Sequence, residues 1–143
     1  LLPHPEGGYF KQVYKSASTT MSYAHGKPRT ALTHIYFLLL KGETSRFHRV
    51  LHDEVWNHYE GAPLRLIQLH DKTLTQKTIG NQEEGYVDIV PAGNYQAAFS
   101  TGDYSLVGCT VAPGFDFDDF SFIDDASIAL WLDTYHPSMS KFI

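Results

Sequence analysis

The stretch FHRVLHDEVWNHYEG, Phe47 to Gly61, places three histidines and three acidic residues in fifteen positions. Imidazole and carboxylate together hold borderline divalent ions, and they are also the pair from which general acid–base sites are built. Spacing limits which of them can cooperate. In an extended chain rising ~3.3 Å per residue, His58 lies ~13 Å from Glu54, too far to share an ion with it. His52 falls in a turn, and His34 and His70 belong to other strands whose facing the sequence leaves open. By alternation Arg46, His48 and Val50 share one face and Phe47 and Arg49 the other, while Glu54, Trp56 and His58 form a similar set.

Strands must position these side chains, and most of the chain reads as short strands between turns. THIYFLLL (33–40) is a dense apolar run stopped by Lys41-Gly42, followed by SRFHRV (45–50) and EVWNHYEG (54–61) around a His-Asp turn. PLRLIQLH (63–70), GYVDIVPAG (85–93), YQAAFS (95–100) and YSLVGCTVAP (104–113) continue the series, with Gly and Pro where turns need them. One segment reads as helix, DASIALWLDTYHP (125–137), in which Ile128, Leu132 and Tyr135 recur at helical spacing between an Asp125 cap and a Pro137 stop. Strands at this spacing suggest a sandwich or a closed barrel, a jelly roll among them. The expectation is one all-β domain over residues 1–143 with a short C-terminal helix.

A length of 143 residues, 43% hydrophobic and 14% aromatic, suits a single globular domain. A net charge of −5 with 11 Lys and Arg argues against nucleic acid as a partner. No apolar run approaches the ~20 residues of a membrane-spanning helix, no signal peptide is visible, and a cytoplasmic setting is expected. Cys109, flanked by Gly108 and Thr110 in a strand pattern, reads as a buried thiol. In GFDFDDF (114–120) Asp116, Asp118 and Asp119 lack the further oxygen ligands of a calcium loop. Phe115, Phe117 and Phe120 read there as an apolar edge, with the acids in solvent. PHPEGGYF (3–10) reads as turn chemistry, Gly7-Gly8 permitting a sharp bend before Tyr9 and Phe10 pack down.

Between Gly42 and Gly61 the spacing resembles the first signature of the cupin superfamily. Gly42, His48, Glu54 and Gly61 fall on it, with Val50 in place of its second histidine. Gly85, Pro91 and Gly93 match the second signature, where Gln96 stands for its histidine and Ser100 for its asparagine. PHPEGGYF, FHRVLHDEVWNHYEG and VAPGFDFDDF (111–120) together resemble the small single-domain cupin family called domain of unknown function 985. The resemblance covers nearly the whole chain and implies a cupin jelly-roll β-barrel and a homodimer.

In metal-binding cupins the histidines and glutamate of the first signature converge with the histidine of the second on Fe, Mn, Zn or Ni. At those positions this chain keeps only His48 and Glu54; Val50 has no lone pair and Gln96 offers a neutral amide. No metal and no cofactor are therefore expected, and what remains is a pocket. The ligand-position His48 faces inward, which points Arg46 toward the same cavity. Tyr36, Trp56, His58 and Gln96 complete the expected lining. A guanidinium among aromatics suits a small anionic ligand with a flat ring, of nucleotide or sugar-nucleotide type. The alternative that the resemblance implies is a sugar or sugar-nucleotide epimerase or isomerase, as in metal-free cupins that abstract a proton beside a carbonyl. His48 is then the base, Glu54 its orienting carboxylate, and Tyr36 or Tyr59 the acid.

Overall fold

The computed structural model describes residues 1–143. Its strands are β1 (Leu2–Pro3), β2 (Tyr9–Lys15), β3 (Thr19–Met21), β4 (Pro28–Thr30), β5 (Thr33–Leu40), β6 (Thr44–Val50), β7 (Asp53–Gly61), β8 (Leu64–His70), β9 (Thr73–Ile79), β10 (Val87–Val90), β11 (Tyr95–Ser100), β12 (Tyr104–Ala112) and β13 (Phe120–Phe122). One helix, α1 (Ala126–Tyr135), follows them. A six-stranded sheet runs β1-β2-β5-β12-β7-β10 and faces a five-stranded sheet, β13-β6-β11-β8-β9, while β3 and β4 form a separate hairpin. This is the all-β jelly roll that the sequence led us to expect.

Period-two burial builds the interior. Phe37, Leu39, Trp56, Leu64, Leu66, Ala98, Val107 and Cys109 form one cluster between the sheets. The alternate residues of the five-stranded sheet, Phe47, Ile67, Leu69 and Ala97, are buried on its other face beneath Leu132 and Phe142. That second layer explains why β8 and β11 bury adjacent residues on both faces rather than every second one. The helix begins at Asp125, whose carboxylate accepts from the Ser127 N–H at 2.8 Å, and it gives way to a 3₁₀ turn at Pro137. Strand β9 has no sequence signature because most of it is polar and partly exposed. It is held by pairing with β8 across Asp71 and Lys72, both at positive φ.

Two β-bulges interrupt the strands that carry the histidines. On β6, Gln96 pairs with His48 but Ala98 with Ser45, so Arg46 and Phe47 together oppose one residue of β11. On β7, Val107 pairs with His58 and Leu106 with Glu60, leaving Tyr59 as the extra residue. A bulge reverses which side of the sheet the following residues face, so simple alternation fails across it.

Candidate functional site

A cavity of about 300 Å³ opens between the two sheets, at the low end of the range for small-molecule sites. Its walls are apolar, from Phe10, Ile35, Val50 and Val111, and Phe115, Asp116 and Phe117 stand around it on the loop after β12. Its polar groups include His4, Glu6, His48, Glu54 and Cys109, with Gln12 and Thr33 beside them.

His48 comes from β6 just beyond the bulge and is 2% exposed. Its Nδ1 lies 2.7 Å from the Arg46 carbonyl, which can only accept, so Nδ1 carries the proton and Nε2 bears the lone pair. That Nε2 is 3.4 Å from Glu6 Oε2. The other Glu6 oxygen lies 3.1 Å from His4 Nδ1, which also faces the Glu6 backbone N–H at 3.2 Å. Ser45 donates its hydroxyl hydrogen to Glu6. A carboxyl set between two ring nitrogens that both bear lone pairs, His4 Nδ1 as acceptor of the Glu6 N–H and His48 Nε2 opposite its own N–H, is the arrangement of groups that share a proton.

Glu54, from β7, accepts from Gln96 Nε2 at 2.9 Å, and the same amide's oxygen accepts from Trp56 Nε1 at 2.8 Å. Burial pushes the Glu6 and Glu54 carboxyls up, each to about 7, against the opposing pull of His4 on Glu6 and of His48 on Glu54. Burial likewise holds His48 and His4 below the usual imidazole value and raises the Cys109 thiol well above its own. The cavity therefore holds neutral imidazoles beside carboxyls poised to gain or lose a proton near neutrality.

Among the residues singled out by sequence, the structure brings His48, Glu54 and Gln96 together, with Trp56 in the core behind the Gln96 amide. Four others lie elsewhere. The β6 bulge turns Arg46 outward, where its guanidinium stacks 4.3 Å from the centroid of Phe122. Tyr36 and Tyr59 are 41% and 48% exposed on the outer face of the six-stranded sheet, where Tyr59 bonds His34 at 2.9 Å. His58 sits farther along β7 and bonds the Ala62 carbonyl at 2.8 Å. The acids of GFDFDDF are not all solvated, since Asp119 is 4% exposed and bonded to Arg29 and His25.

The sequence reading missed Glu6 and His4. Gly7 and Gly8 take φ of 109° and 75°, and a Cβ on Gly7 would collide with the Thr44 carbonyl. The bend therefore does more than turn the chain: it lets the segment lie against β6 so that Glu6 reaches the cavity. A His and a Glu two positions apart before paired glycines was the available signal.

These residues do not fit the four-ligand ion of metal-binding cupins. Val50 contributes only methyl groups, and Gln96 has committed both ends of its amide to Glu54 and Trp56. The one set of three residues whose donor atoms lie within 4.8 Å of one another is outside the cavity, at His25, His52 and Asp119.

The profile of the family described as Cupin superfamily (DUF985) matches residues 1–123. A hypothetical protein from Leishmania major is 31% identical with a TM-score of 0.83, over 99% of this chain and 90% of that one. A Shewanella oneidensis protein is 32% identical with a TM-score of 0.80, over 98% of this chain and 86% of that one. Recombinant oxalate oxidase in complex with glycolate, at 12% identity and a TM-score of 0.60 over 84% of this chain and 57% of that one, shares the fold alone. No protein with a curated description matches the chain.

Proposed function

The chain belongs to the cupin family of domain of unknown function 985, and on that scaffold we propose that it is a proton-transfer enzyme of the isomerase or epimerase class. Its substrate would be a small, neutral, sugar-sized carbonyl compound. The observation that carries this reading is Glu6, buried between His4 and the lone-pair nitrogen of His48 at the wall of the cavity. Groups poised near neutral pH suit general acid–base work.

In the proposed reaction His48 Nε2 takes the proton from the carbon beside the carbonyl. The electron pair of that C–H bond forms the C=C of an enediol, and protonated Glu6 gives its hydrogen to the carbonyl oxygen. Return of the proton from His48 to the neighbouring, former carbonyl carbon, with Glu6 taking the proton of the hydroxyl on the carbon first deprotonated, yields the isomer. An epimer forms when the enediol turns over before the same two transfers reverse. The Arg46 carbonyl takes over the orienting role first given to Glu54, because it is the group that fixes the His48 tautomer. Glu54, as a nearby carboxylate, favours the imidazolium that forms. Glu6 replaces Tyr36 and Tyr59 as the acid, because both tyrosines lie outside the cavity.

Neutral small aldoses, ketoses and hydroxyketones incubated with the protein in D₂O test this reading by proton NMR. Exchange beside the carbonyl is expected, falling at least ~100-fold in His48→Ala and Glu6→Gln. No exchange with any member of the series would sink the proposal.

The anionic ligand expected from sequence finds no partner here, since neither Lys nor Arg lines this cavity. A second cleft of about 360 Å³ between the five-stranded sheet and α1 does combine cations with aromatics, from Arg49, Lys72, Tyr95 and Trp131. The Arg49 guanidinium lies 5.4 Å from the Tyr95 ring centroid. A binding role for an aromatic anion of nucleotide type belongs at that cleft. Calorimetry with a nucleoside monophosphate would show binding weakened by Arg49→Ala, and no heat at millimolar ligand would refute it. The homodimer expected from the family is proposed at the outer face of the six-stranded sheet. There the paired rows Tyr36–Gly108–Asn57–Val87 and His34–Thr110–Val55–Ile89 leave Tyr36, Val87 and Ile89 exposed.

A further inference from the structure

Outside the barrel cavity, the β3–β4 hairpin, the β6–β7 turn and the 3₁₀ turn Phe117–Asp119 meet. They bring together His25, His52 and Asp119, whose donor atoms all lie within 4.8 Å of one another. His25 Nε2 is 2.8 Å from Asp119 Oδ1, and His52 Nδ1 is 3.6 Å from Asp119 Oδ2. The His52 side chain is fully buried, and its Nδ1 has no hydrogen-bond partner although it points at this carboxylate. Buried polar atoms without a partner are rare in native proteins and call for an explanation.

We propose that His25, His52 and Asp119 form a binding site for a divalent cation of the zinc class, independent of the barrel chemistry. Two imidazoles and one carboxylate are a ligand set suited to such ions, and a fourth position remains for water. The ion replaces the proton between His25 and Asp119 and gives His52 Nδ1 the partner it lacks. Ligation through Nδ1 places the His52 proton on Nε2, where it meets Ser22 Oγ at 2.7 Å in place of the longer His25 N–H contact of 3.3 Å, so the ring's second nitrogen is held. Ligation of His25 through Nε2 moves its proton to Nδ1 and releases the exposed Lys27 N–H to water.

Arg29 grips Asp119 with Nε at 2.9 Å and Nη2 at 3.0 Å. An ionised carboxylate offers about four lone-pair sites, and the guanidinium uses one on each oxygen. The sites left face the two histidines. Asp116, 4.0 Å from Arg29 Nε, offsets part of the guanidinium charge. His25, with a side chain 20% exposed, gives the ion a route in. His52 and Asp119 could instead be read with Ser22 as a nucleophile relay, but Ser22 is 3% exposed and its oxygen accepts N–H groups from Ala24 and His25. None of the cavities reaches it. Because Asp119 closes the turn that carries Asp116 and Phe117, a bound ion would also fix residues that line the barrel cavity.

Tag-free, chelator-treated protein is titrated with Co²⁺ by visible absorption and with Zn²⁺ by calorimetry. One ion per chain is expected, with cobalt bands of a four-coordinate nitrogen–oxygen site that Zn²⁺ bleaches. His25→Ala, a partly exposed change whose folding is checked by melting without metal, and His52→Gln should each weaken binding at least ~10-fold. His70→Ala, at an exposed residue away from the cluster, should change nothing. No cobalt bands and no heat up to millimolar metal would overturn the proposal, as would binding that survives His25→Ala at full strength.

Discussion

Replacing Glu6 by Gln should remove a pH-dependent cost that the native fold carries above neutrality. The carboxyl moves from 4.5 to about 7 on folding because burial disfavours its charge. Below the unfolded value both states are protonated, and Glu6 costs nothing. Between that value and about 7 the unfolded chain releases a proton that the folded chain keeps, so stability falls as pH rises. At ~1.4 kcal/mol per pH unit the loss reaches roughly 3 kcal/mol by pH 8. Gln is the neutral isostere of the protonated acid: its oxygen can accept from Ser45, and its NH₂ can donate to His4 Nδ1.

Urea unfolding of wild type and Glu6→Gln at pH 5 and pH 8 measures the effect. The variant should lie within about 1 kcal/mol of wild type at pH 5 and gain roughly 1–3 kcal/mol relative to it at pH 8. The lower end allows for coupling, because the Glu6 charge also raises Glu54. His4 and His48, held low by burial, contribute the opposite slope below their unfolded value of 6.5, and that slope is largely common to both proteins. A difference between variant and wild type that does not change with pH, or that turns against the variant at pH 8, would refute the reasoning.

Arg46→Ala should leave barrel chemistry intact and cost no more than about 1 kcal/mol, the loss of one stacked cation, in denaturant unfolding. Gly108→Ala places a methyl group into the Tyr59 ring, so it should displace Tyr59 from His34 and destabilise by roughly 1–3 kcal/mol, seen as a lower Tm. Light scattering should give twice the 16.1 kDa chain mass, and Ile89→Asp on the exposed outer face should return the single-chain mass. Leu132→Ala, which uncovers Phe47 and Phe142 beneath α1, should cost about 2–5 kcal/mol in urea unfolding, and an unchanged midpoint would contradict the buried second layer.

Much of the scaffold was legible because it follows from local rules. THIYFLLL coincides with β5 and YQAAFS with β11, since dense apolar runs bounded by turn residues have few other stable uses. Asp125 caps its helix through an interaction only two residues long. Among the strands that escaped notice, β2, β9 and the β3–β4 hairpin are largely polar or exposed and exist because neighbouring strands pair with them. Their hydrogen bonds are satisfied by partners distant in sequence, which no local pattern records.

The sequence by itself determined the jelly roll, the inward placement of His48 and Glu54, and the loss of two ligands at Val50 and Gln96. The strands follow from residue type and period-two alternation, while the jelly roll, the inward facing and the lost ligands follow from the residues that fall on the family's signature positions. The tertiary structure alone decided which polar groups meet. It turned Arg46 out through a bulge, brought Glu6 in from the N-terminus past Gly7, and buried Asp119 against Arg29, His25 and His52. Bulges and long-range approaches come from pairing register and from contacts between segments dozens of residues apart. The composition of the proton-sharing group is therefore a property of the fold, while the strands that support it are a property of the sequence.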